Sequence, residues 1–395
     1  MKVTITPQKL CGRVDAIASK SFAHRIMIAA ALADKPTKIN LNTTSEDIEA
    51  TKNCLLSMGA KIEEGEGFIK ITPITYSEDV VLDCNESGST ARFLLPVAAT
   101  VCDSFKMCGK GRLPERPMTP LVAQMRNHNI TISQENIPLE VSGKMSGGIF
   151  EIPGDISSQY ITGLLFALPN CSQKSEIVLT SPLQSAAYVD ITIGVLKQFG
   201  IKILKTENSF VVEPQKFISP DEISVEGDWS NAAFWIVANE ICENVFVDGL
   251  NYESLQGDMN ILNAKELYEI DASEIPDLVP ILAVLACARK GKTVIYNAQR
   301  LRIKESDRLE TVRKSLSSLG ANIEETADGL IINGTGSLCG GECESFNDHR
   351  IAMSSAIASC ICKNEVIIKD AQAVNKSYPK FFEDFVKLGG KIVIE

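Results

Sequence analysis

The chain lacks any apolar stretch long enough to cross a lipid bilayer. Its longest apolar run, from Leu278 to Ala288, is far short of the roughly 20 residues that a membrane-spanning helix needs. No apolar run like that of a signal peptide follows Met1. We therefore expect a cytoplasmic protein that does not associate with membranes.

Histidine is scarce, and cysteine is not arranged in pairs. The 395 residues include three histidines, His24, His128 and His349, and twelve scattered cysteines without a Cys-x-x-Cys pair. Metal sites built on these residues need ligands at short, regular spacing. We expect free cytosolic thiols and no bound metal.

An excess of positive charge is also absent. The chain has 39 Lys and Arg against 50 Asp and Glu, which gives a net charge of −11. This balance argues against a nucleic-acid binder with a broad basic surface. The sequence also lacks a Walker loop, a Rossmann glycine pattern and a Ser-His-Asp pattern. Any anion site must therefore be a local cluster of Lys and Arg.

The chain does contain an internal repeat. Residues 150–160 and 223–233 both read as a β-like run, a Gly-Asp turn, a serine and an apolar helix. Four other segments open an apolar helix in a looser version of this pattern: 19–25, 86–92, 275–277 and 347–350. Serine and aspartate cap helices, and glycine gives the turn its backbone freedom. Length and repeat together predict an α/β protein of six units in two domains.

A second recurring element marks one unit as incomplete. Amphipathic helices ending in a Gly or Asn turn before a β-like run occur at 55–62, 125–132, 196–203, 316–323 and 385–392. No such element lies between Ser230 and Asp277. We expect the fourth unit to lack its second helix, with or without one strand, and to begin near Val225 to Asp228.

Several helix starts and loops carry groups suited to anion binding or proton transfer. Free N–H groups at a capped helix start attract phosphate or carboxylate, and residues four apart share a helix face. Each segment alone could equally be a capped surface helix, an exposed basic loop or a surface ion-pair helix. The candidates are Lys20, Ser21 and Arg25; Gly88; Arg112; Ser157, Ser158 and Gln159; Ser185 and Tyr188; Asp277; Lys304, Glu305 and Arg308; Arg350; and Lys376.

Taken in order, these motifs resemble the EPSP synthase (3-phosphoshikimate 1-carboxyvinyltransferase) family of enolpyruvyl transferases. The match spans nearly the whole chain, and the ordered set is far more specific than any one motif. It is carried by Lys20-Ser-x-x-x-Arg25, Gly88, Arg112-x-x-x-Arg116-Pro, Ser157-Ser-Gln, Ser185-x-x-Tyr188, Asp277, Lys304-Glu-Ser-Asp-Arg308, Asp348-His-Arg350 and Lys376.

The resemblance implies a particular domain arrangement. Each of two domains would contain three βαβαββ-type repeats, an inside-out α/β barrel, with the fourth repeat shortened here. One domain would run from 18 to 226, and residues 1–17 plus 227–395 would form the other. The family's domains close on substrates held between them, and we expect a monomer.

The resemblance also implies a reaction and roles. The enolpyruvyl group of phosphoenolpyruvate would pass to the 5-hydroxyl of shikimate 3-phosphate, giving 5-enolpyruvylshikimate 3-phosphate and phosphate in aromatic amino acid biosynthesis. Asp277 would act as base, and Glu305, with Lys20, would protonate C3 without any cofactor. Lys20, Ser21, Arg25, Ser157, Ser158, Gln159, Ser185 and Tyr188 would hold shikimate 3-phosphate. Gly88, Arg112, Lys304, Arg308, Arg350 and Lys376 would hold phosphoenolpyruvate.

The sequence departs from the family pattern at three points, and two alternatives to this function remain open. Glu86 and Arg300 stand where many or some members carry Asn, and the fourth unit is short. One alternative is the sister enzyme that acts on UDP-N-acetylglucosamine, which uses a cysteine where Arg112 stands. The other is a non-catalytic ligand-binding relative, which would not need Asp277 and Glu305.

Overall fold

The computed structural model of the protein describes residues 1–75 and 77–395. Within these residues the chain alternates short strands with helices, as expected for an α/β protein. The strands are β1 Val3–Thr6, β2 Gly12–Asp15, β3 Thr37–Asn40, β4 Lys61–Gly65, β5 Phe68–Thr72, β6 Val80–Asp83, β7 Ser104–Cys108, β8 Thr131–Ile132, β9 Leu139–Ser142, β10 Ile149–Ile152, β11 Ser175–Leu179, β12 Ile203–Lys205, β13 Ser209–Val212, β14 Glu222–Ser224, β15 Val245–Asp248, β16 Glu269–Asp271, β17 Lys290–Tyr296, β18 Ile323–Glu325, β19 Leu330–Thr335, β20 Gly341–Glu344, β21 Val366–Lys369 and β22 Lys391–Ile394.

The helices begin where the repeated turns predicted them. The α-helices are α1 Lys20–Leu32, α2 Glu46–Ser57, α3 Gly88–Val101, α4 Thr119–Arg126, α5 Ser158–Ala167, α6 Ala186–Gln198, α7 Trp229–Cys242, α8 Ile261–Ala264, α9 Val279–Ala288, α10 Arg308–Ser318, α11 His349–Ala358 and α12 Phe381–Lys387. Four 3-10 turns carry charged residues of the terminal unit: Gly257–Asn260, Pro276–Leu278, Gln299–Ile303 and Ala371–Lys376. No helix in the described part of the chain is both long and apolar enough to span a membrane.

The chain divides into two compact units. Residues Lys20–Val225 form one, called here the inserted unit. Met1–Ser19 and Glu226–Glu395 form the other, called the terminal unit because it contains both chain ends. Each unit has its own hydrophobic core.

The inserted unit consists of three four-stranded sheets with one shared topology. Their orders are β14-β3-β5-β4, β6-β7-β9-β8 and β10-β11-β13-β12. In each sheet the first pair is parallel, as in Val80 opposite Phe105, and the other pairs are antiparallel. A parallel pair needs a crossover, which α3 supplies between β6 and β7 and α5 between β10 and β11, whereas β14 reaches β3 from the far end of the unit. The predicted βαβαββ repeat is therefore present three times.

Helices α3 and α5 pack unusually closely in the core of the inserted unit. A Cβ atom on Gly163 of α5 would lie 2.3 Å from the Arg92 carbonyl oxygen of α3, so only glycine fits there. Helix α3 is buried from Gly88 to Thr100 apart from Ser89. Such a helix is apolar on nearly all sides because protein surrounds it.

The terminal unit repeats this plan with two complete sheets. Strands β16-β17-β19-β18 and β20-β21-β1-β22 form them, and the amino-terminal strand β1 completes the last repeat. Strand β1 pairs antiparallel with both β21 and β22, with Val3 opposite Ile368 and Ile394. The apolar helix α9 is buried from Val279 to Cys287.

The fourth repeat is shorter than expected. Its sheet contains only β2 and β15, and between β15 and β16 the chain forms only the turn Gly257–Asn260 and the one-turn helix α8. The prediction of a missing second helix, with or without one strand, underestimated the loss. Neither of the two later strands is formed, and a short helical segment replaces the helix.

Strand β14 lies just before the predicted start of the fourth repeat, near Val225 to Asp228. Strand β14 pairs in parallel with β3, with Ile223 opposite Ile39, and so completes the first repeat of the inserted unit. Strand β2, which precedes α1 in sequence, pairs in parallel with β15 of the terminal unit instead. The two strands are exchanged because the chain passes from one unit to the other directly after each.

Candidate active site

The predicted residues form one cluster in each unit. The amino-terminal cluster lies at the starts of α1, α3, α5 and α6 in the inserted unit, and the carboxyl-terminal cluster lies around α9, α10 and α11 in the terminal unit. Serine caps explain two of these starts: Ser87 accepts from Thr90 N at 3.2 Å and Ser157 from Gln159 N at 3.3 Å. Aspartate caps α11, where Asp348 accepts from Arg350 N at 2.9 Å.

Lys20 begins α1 and forms an ion pair within the amino-terminal cluster. Its Nζ lies 2.7 Å from Asp47 Oδ2 in the first turn of α2. The two side chains are only 17% and 13% exposed, so solvent screens the pair weakly. Sequence reasoning missed Asp47, since nothing in the first turn of α2 distinguishes it from an ordinary helix-start acid. Ser21, the next residue of α1, is half-buried.

Arg25 is buried, and its N–H groups donate hydrogen bonds to other residues of the inserted unit. Its Nε donates to Thr192 Oγ1 at 2.8 Å, its Nη1 to the Ser21 carbonyl at 2.7 Å, and its Nη2 to the Tyr188 carbonyl at 3.0 Å. The guanidinium also stacks over Phe93. Burial lowers the pKa of Arg25 to about 9, which leaves it protonated at neutral pH. Arg25 therefore ties α1 to α6 and brings positive charge to the start of both.

Gly88 lies against two buried arginines. A Cβ atom there would lie 2.6 Å from Arg116 Nη1 and 2.8 Å from Arg92 Nη1. Arg92 donates to Gln159 Oε1 at 2.8 Å and to the Pro117 carbonyl at 3.0 Å. Two buried guanidiniums packed against the start of α3 bring positive charge to this part of the amino-terminal cluster. Arg116 belongs to the predicted basic loop with Arg112, but the roles implied by the family resemblance named neither Arg92 nor Arg116.

Arg112 has a different environment from Arg116. Its Nε lies 3.5 Å from Glu115, and its side chain is 41% exposed. Arg116, four residues later, is 6% exposed. The carboxylate of Glu86 lies against Gly111 in the same loop, where a Cβ atom would meet Glu86 Oε2 at 2.4 Å.

The hydroxyl and amide groups predicted to hold a polar ligand occupy the starts of α5 and α6. Ser158 is buried, while Ser157 and Gln159 are half-buried, and Gln159 Nε2 donates to Ser89 Oγ at 3.0 Å. Ser185 precedes α6 in the left-handed conformation, with φ +55°. Serine adopts that conformation at a cost, so a tertiary constraint holds it there. Tyr188 lies in the first turn of α6 and is half-buried.

Asp277 is surrounded by cations in the carboxyl-terminal cluster. Arg308 Nη1 donates to Asp277 Oδ1 at 2.8 Å, Arg350 Nη2 donates to Oδ2 at 3.0 Å, and Lys304 Nζ lies 3.5 Å from Oδ1. Burial alone would raise the pKa of Asp277, but Arg350, Lys304 and Arg308 together hold it well below its ordinary value. The carboxyl is therefore ionised in this arrangement.

Arg308 connects three carboxylates. Besides Asp277, it donates through Nη2 to Glu305 Oε2 at 2.7 Å and through Nε to Asp348 Oδ2 at 2.8 Å. Its side chain is 1% exposed. The three carboxylates outweigh burial and raise the pKa of Arg308 above its already high ordinary value. Arg308 therefore fixes where Asp277 and Glu305 lie relative to each other.

Lys304 and Lys376, the remaining predicted cations, also lie in the terminal unit, as does Arg300. Burial lowers the pKa of Lys304, although Asp277 and Glu305 oppose the change. Lys376 is buried at the end of the turn Ala371–Lys376, and its Nζ donates to the Asn347 carbonyl at 2.6 Å, directly before the α11 start. Arg300 donates to the Ser273 carbonyl at 2.8 Å.

Sequence reasoning missed one buried acid of the shortened repeat. Asp258 lies in the turn Gly257–Asn260 and accepts a hydrogen bond from Ser230 of α7. Burial and the nearby Asp277 raise the pKa of Asp258 to about 6, although Arg350 opposes them. No group of His, Cys, Asp and Glu in residues 1–75 and 77–395 is arranged to hold a metal ion.

Comparisons with known proteins point to a single family. The family model of EPSP synthase (3-phosphoshikimate 1-carboxyvinyltransferase) matches residues 5–267 and 262–385. The 3-phosphoshikimate 1-carboxyvinyltransferase of Clostridioides difficile (strain 630) is 40% identical over 425 aligned positions, which cover 98% of this chain and 97% of the relative. That of Clostridium perfringens (strain 13 / Type A) is 41% identical over 423 positions, covering 98% of each.

A solved structure shares the fold. EPSP synthase from Acinetobacter baumannii superposes with a TM-score of 0.83, at 23% identity and over 100% of both chains. The alignments to the clostridial relatives are longer than the 395 residues of this chain, so those relatives carry residues that this chain lacks. The two matches to the family model meet at residues 262–267, in and just after the one-turn helix α8. This break falls in the shortened repeat.

Proposed function

The chain belongs to the EPSP synthase (3-phosphoshikimate 1-carboxyvinyltransferase) family, and from this premise we propose which of its residues carry out the family's reaction. The enzyme transfers the enolpyruvyl group of phosphoenolpyruvate to shikimate 3-phosphate in the shikimate pathway. The observation that supports our assignment most strongly is the set of three cations around the ionised Asp277.

We assign the base to Asp277 and the acid to Glu305. Asp277 removes the proton from the 5-hydroxyl of shikimate 3-phosphate, and the oxygen attacks C2 of phosphoenolpyruvate while Glu305 protonates C3. Glu305 then takes a proton back from C3, the C2–O bond to phosphate breaks, and the departing phosphate accepts the proton held by Asp277. The two carboxyls are suited to act together because Arg308 holds both, at 2.8 and 2.7 Å.

Substrate binding would make Asp277 a stronger base. Without substrate, Arg350, Lys304 and Arg308 keep the pKa of Asp277 low, so Asp277 is a weak base in this arrangement. Phosphoenolpyruvate carries a phosphate and a carboxylate, which would compete with Asp277 for Lys304 and Arg350. Each cation that turns to the substrate raises the pKa of Asp277, and the same cations then stabilise the charge that develops during transfer.

In the inserted unit we assign anion binding to Lys20, Arg116 and Arg92, around Gly88. The predicted ligand Arg112 remains a candidate for the edge of this site, but its exposed side chain already pairs with Glu115. Ser21, Arg25, Ser157, Ser158, Gln159, Ser185 and Tyr188 are proposed to bind shikimate 3-phosphate, with Arg25 acting largely through the groups that it orients. We also propose that the protein acts as a cytoplasmic monomer.

The assignment is tested by phosphate release from phosphoenolpyruvate and shikimate 3-phosphate. We expect Asp277→Asn to abolish turnover and still bind shikimate 3-phosphate, because the substitution removes the base and preserves shape. Asp271→Asn is the matched control, since Asp271 is an exposed carboxylate that accepts from Ser273 N and Asn297. Full turnover by the Asp277 variant would remove that residue from the base role. No turnover by folded wild-type protein would refute the function itself.

A further inference from the structure

A line of buried polar side chains joins α1, α2 and α3 within the inserted unit. His24 Nδ1 lies 2.7 Å from Thr51 Oγ1, Thr51 Oγ1 lies 2.7 Å from Thr90 Oγ1, and Thr90 Oγ1 lies 2.7 Å from Ser87 Oγ. All four residues are at most 1% exposed. In such a place each hydrogen bond matters, because an unpaired polar atom keeps its full desolvation cost. We call this line the His24 relay.

The relay has only one consistent direction. Ser87 Oγ accepts from Thr90 N at 3.2 Å as the cap of α3, and it also accepts from the Thr90 hydroxyl. A hydroxyl has a single hydrogen to donate. The Thr90 oxygen must therefore accept from Thr51, and the Thr51 oxygen must in turn accept from His24.

This direction determines the state of His24. Its proton has to be on Nδ1, and its Nε2 is a bare acceptor with no hydrogen-bond partner in the described part of the chain. Burial, with Lys20 and Arg25 nearby, lowers the pKa of His24 well below its ordinary value, so the ring is neutral. The Nδ1–H form is the one that the hydroxyl line requires.

We propose that His24 is a positioning residue whose Nδ1–H begins a one-way relay that fixes the start of α3. Ser87 at the end of the relay caps the helix whose first residue is Gly88. The carbonyl of Asp47, the partner of Lys20, lies 3.4 Å from Thr90 Oγ1 and is a longer, competing acceptor for the one Thr90 hydrogen, which the Ser87 oxygen accepts at 2.7 Å. With either acceptor, Thr90 must accept from Thr51, and the relay lies beside the turn that holds Lys20. Its consequence for catalysis depends on the proposed function, whereas the relay itself does not.

Two substitutions at His24 distinguish the effect of the Nδ1–H hydrogen bond from the effect of the imidazole ring itself. His24→Asn keeps an N–H donor one bond beyond Cγ, where Nδ1 stands, and removes the unpartnered Nε2. His24→Leu fills similar space without a donor. We expect His24→Leu to raise the KM for phosphoenolpyruvate about fivefold, the effect of one lost hydrogen bond, with kcat changed less. His24→Asn should stay within about twofold of wild type in KM.

Thr51 provides an independent test of the same path. Thr51→Val is nearly isosteric and interrupts the relay at its second member. We expect Thr51→Val to raise the KM for phosphoenolpyruvate by a factor similar to that of His24→Leu. The double variant should show little further change, because both substitutions break a single path. Effects that simply multiply would overturn the proposal, as would a wild-type KM in His24→Leu.

Nuclear magnetic resonance of the imidazole nitrogens shows which nitrogen of His24 carries the proton, and the measurement does not require turnover. The chain has three histidines, so the His24 signals are assigned by their loss in His24→Asn. We expect a neutral ring with the proton on Nδ1, and an Nε2–H ring would overturn the proposal. If wild-type protein showed no turnover, the proposed function would fail, while the ring tautomer and the coupling of His24→Leu to Thr51→Val in urea unfolding would still decide the relay.

Discussion

The position of Arg308 predicts a specific and large effect on stability. The guanidinium is 1% exposed and bonds three carboxylates, those of Asp277, Glu305 and Asp348. Replacing it in Arg308→Met leaves these acids in a buried site without their shared cation. Breaking a buried ion pair by removing one partner costs about 3–5 kcal/mol. We expect a loss of that size in the free energy of unfolding of the terminal unit at pH 8.

Acidification should reduce this loss. In wild type the folded-state pKa of Asp277 lies below its unfolded value, so its stabilising contribution is present above the unfolded pKa and is lost as pH falls through the folded pKa. In Arg308→Met, Asp277 keeps Arg350 and Lys304 but loses Arg308, so its folded pKa rises toward its unfolded value. Less of the wild-type stabilisation from ionised Asp277 is then present at high pH. The difference between variant and wild type should shrink as pH falls below about 4, where Asp277 becomes protonated in the unfolded chain.

Tryptophan fluorescence during urea unfolding provides the measurement. The chain has two tryptophans, Trp229 and Trp235, and both lie in α7 of the terminal unit. Arg302→Met is the matched control, because Arg302 also bonds two carboxylates, Asp307 at 3.0 Å and Glu325 at 2.7 Å, but is 31% exposed. We expect the control to lose less than about 1 kcal/mol. Equal losses in the two variants, or a loss in Arg308→Met that does not depend on pH, would refute the reasoning.

Two further outcomes follow from the surroundings of other charged residues. Arg116→Ala should raise the KM for phosphoenolpyruvate by at least about tenfold, and Arg112→Ala by less than about threefold, because of these two arginines only Arg116 is buried against Gly88. Initial-rate kinetics measure both KM values, and the reverse ranking would contradict the assignment. Asp258→Asn should stabilise the terminal unit at pH 8 by up to about 3 kcal/mol, since the folded pKa of about 6 exceeds the unfolded value. That gain should fade as pH falls from about 6 towards 4, and a gain that is undiminished at pH 4.5 in urea unfolding would disprove it.

The sequence was a reliable guide wherever the determining signal was local. Ser87, Ser157 and Asp348 cap helices because a side-chain oxygen reaches an N–H two or three residues away, and such contacts depend on few neighbours. Four of the six predicted helix starts, those of α3, α5, α7 and α11, have such a cap, whereas α9 begins without one. The family, too, was recognised from motifs in sequence order and is confirmed by the comparisons.

Contacts between residues that are far apart in the chain could not be predicted from the sequence. Asp277 meets Arg308 and Arg350 from 31 and 73 positions away, and no local pattern states which cation pairs with which acid. The preference of Arg116 over Arg112 for the interior is likewise decided by packing, since both stand in the same Gly- and Pro-containing loop. These predicted ligands remain predictions until substrates are bound or turned over.

The sequence by itself determined where helices begin, which repeats recur and which family the chain resembles, because capping, periodicity and motif order are properties of neighbouring residues. Only the tertiary structure decided that β14 completes the sheet of β3 while β2 pairs with β15. Strand partners are chosen by the burial of whole sheets against their helices, which no short segment encodes. The same global packing buried Arg308 among three acids and joined His24 to the start of α3.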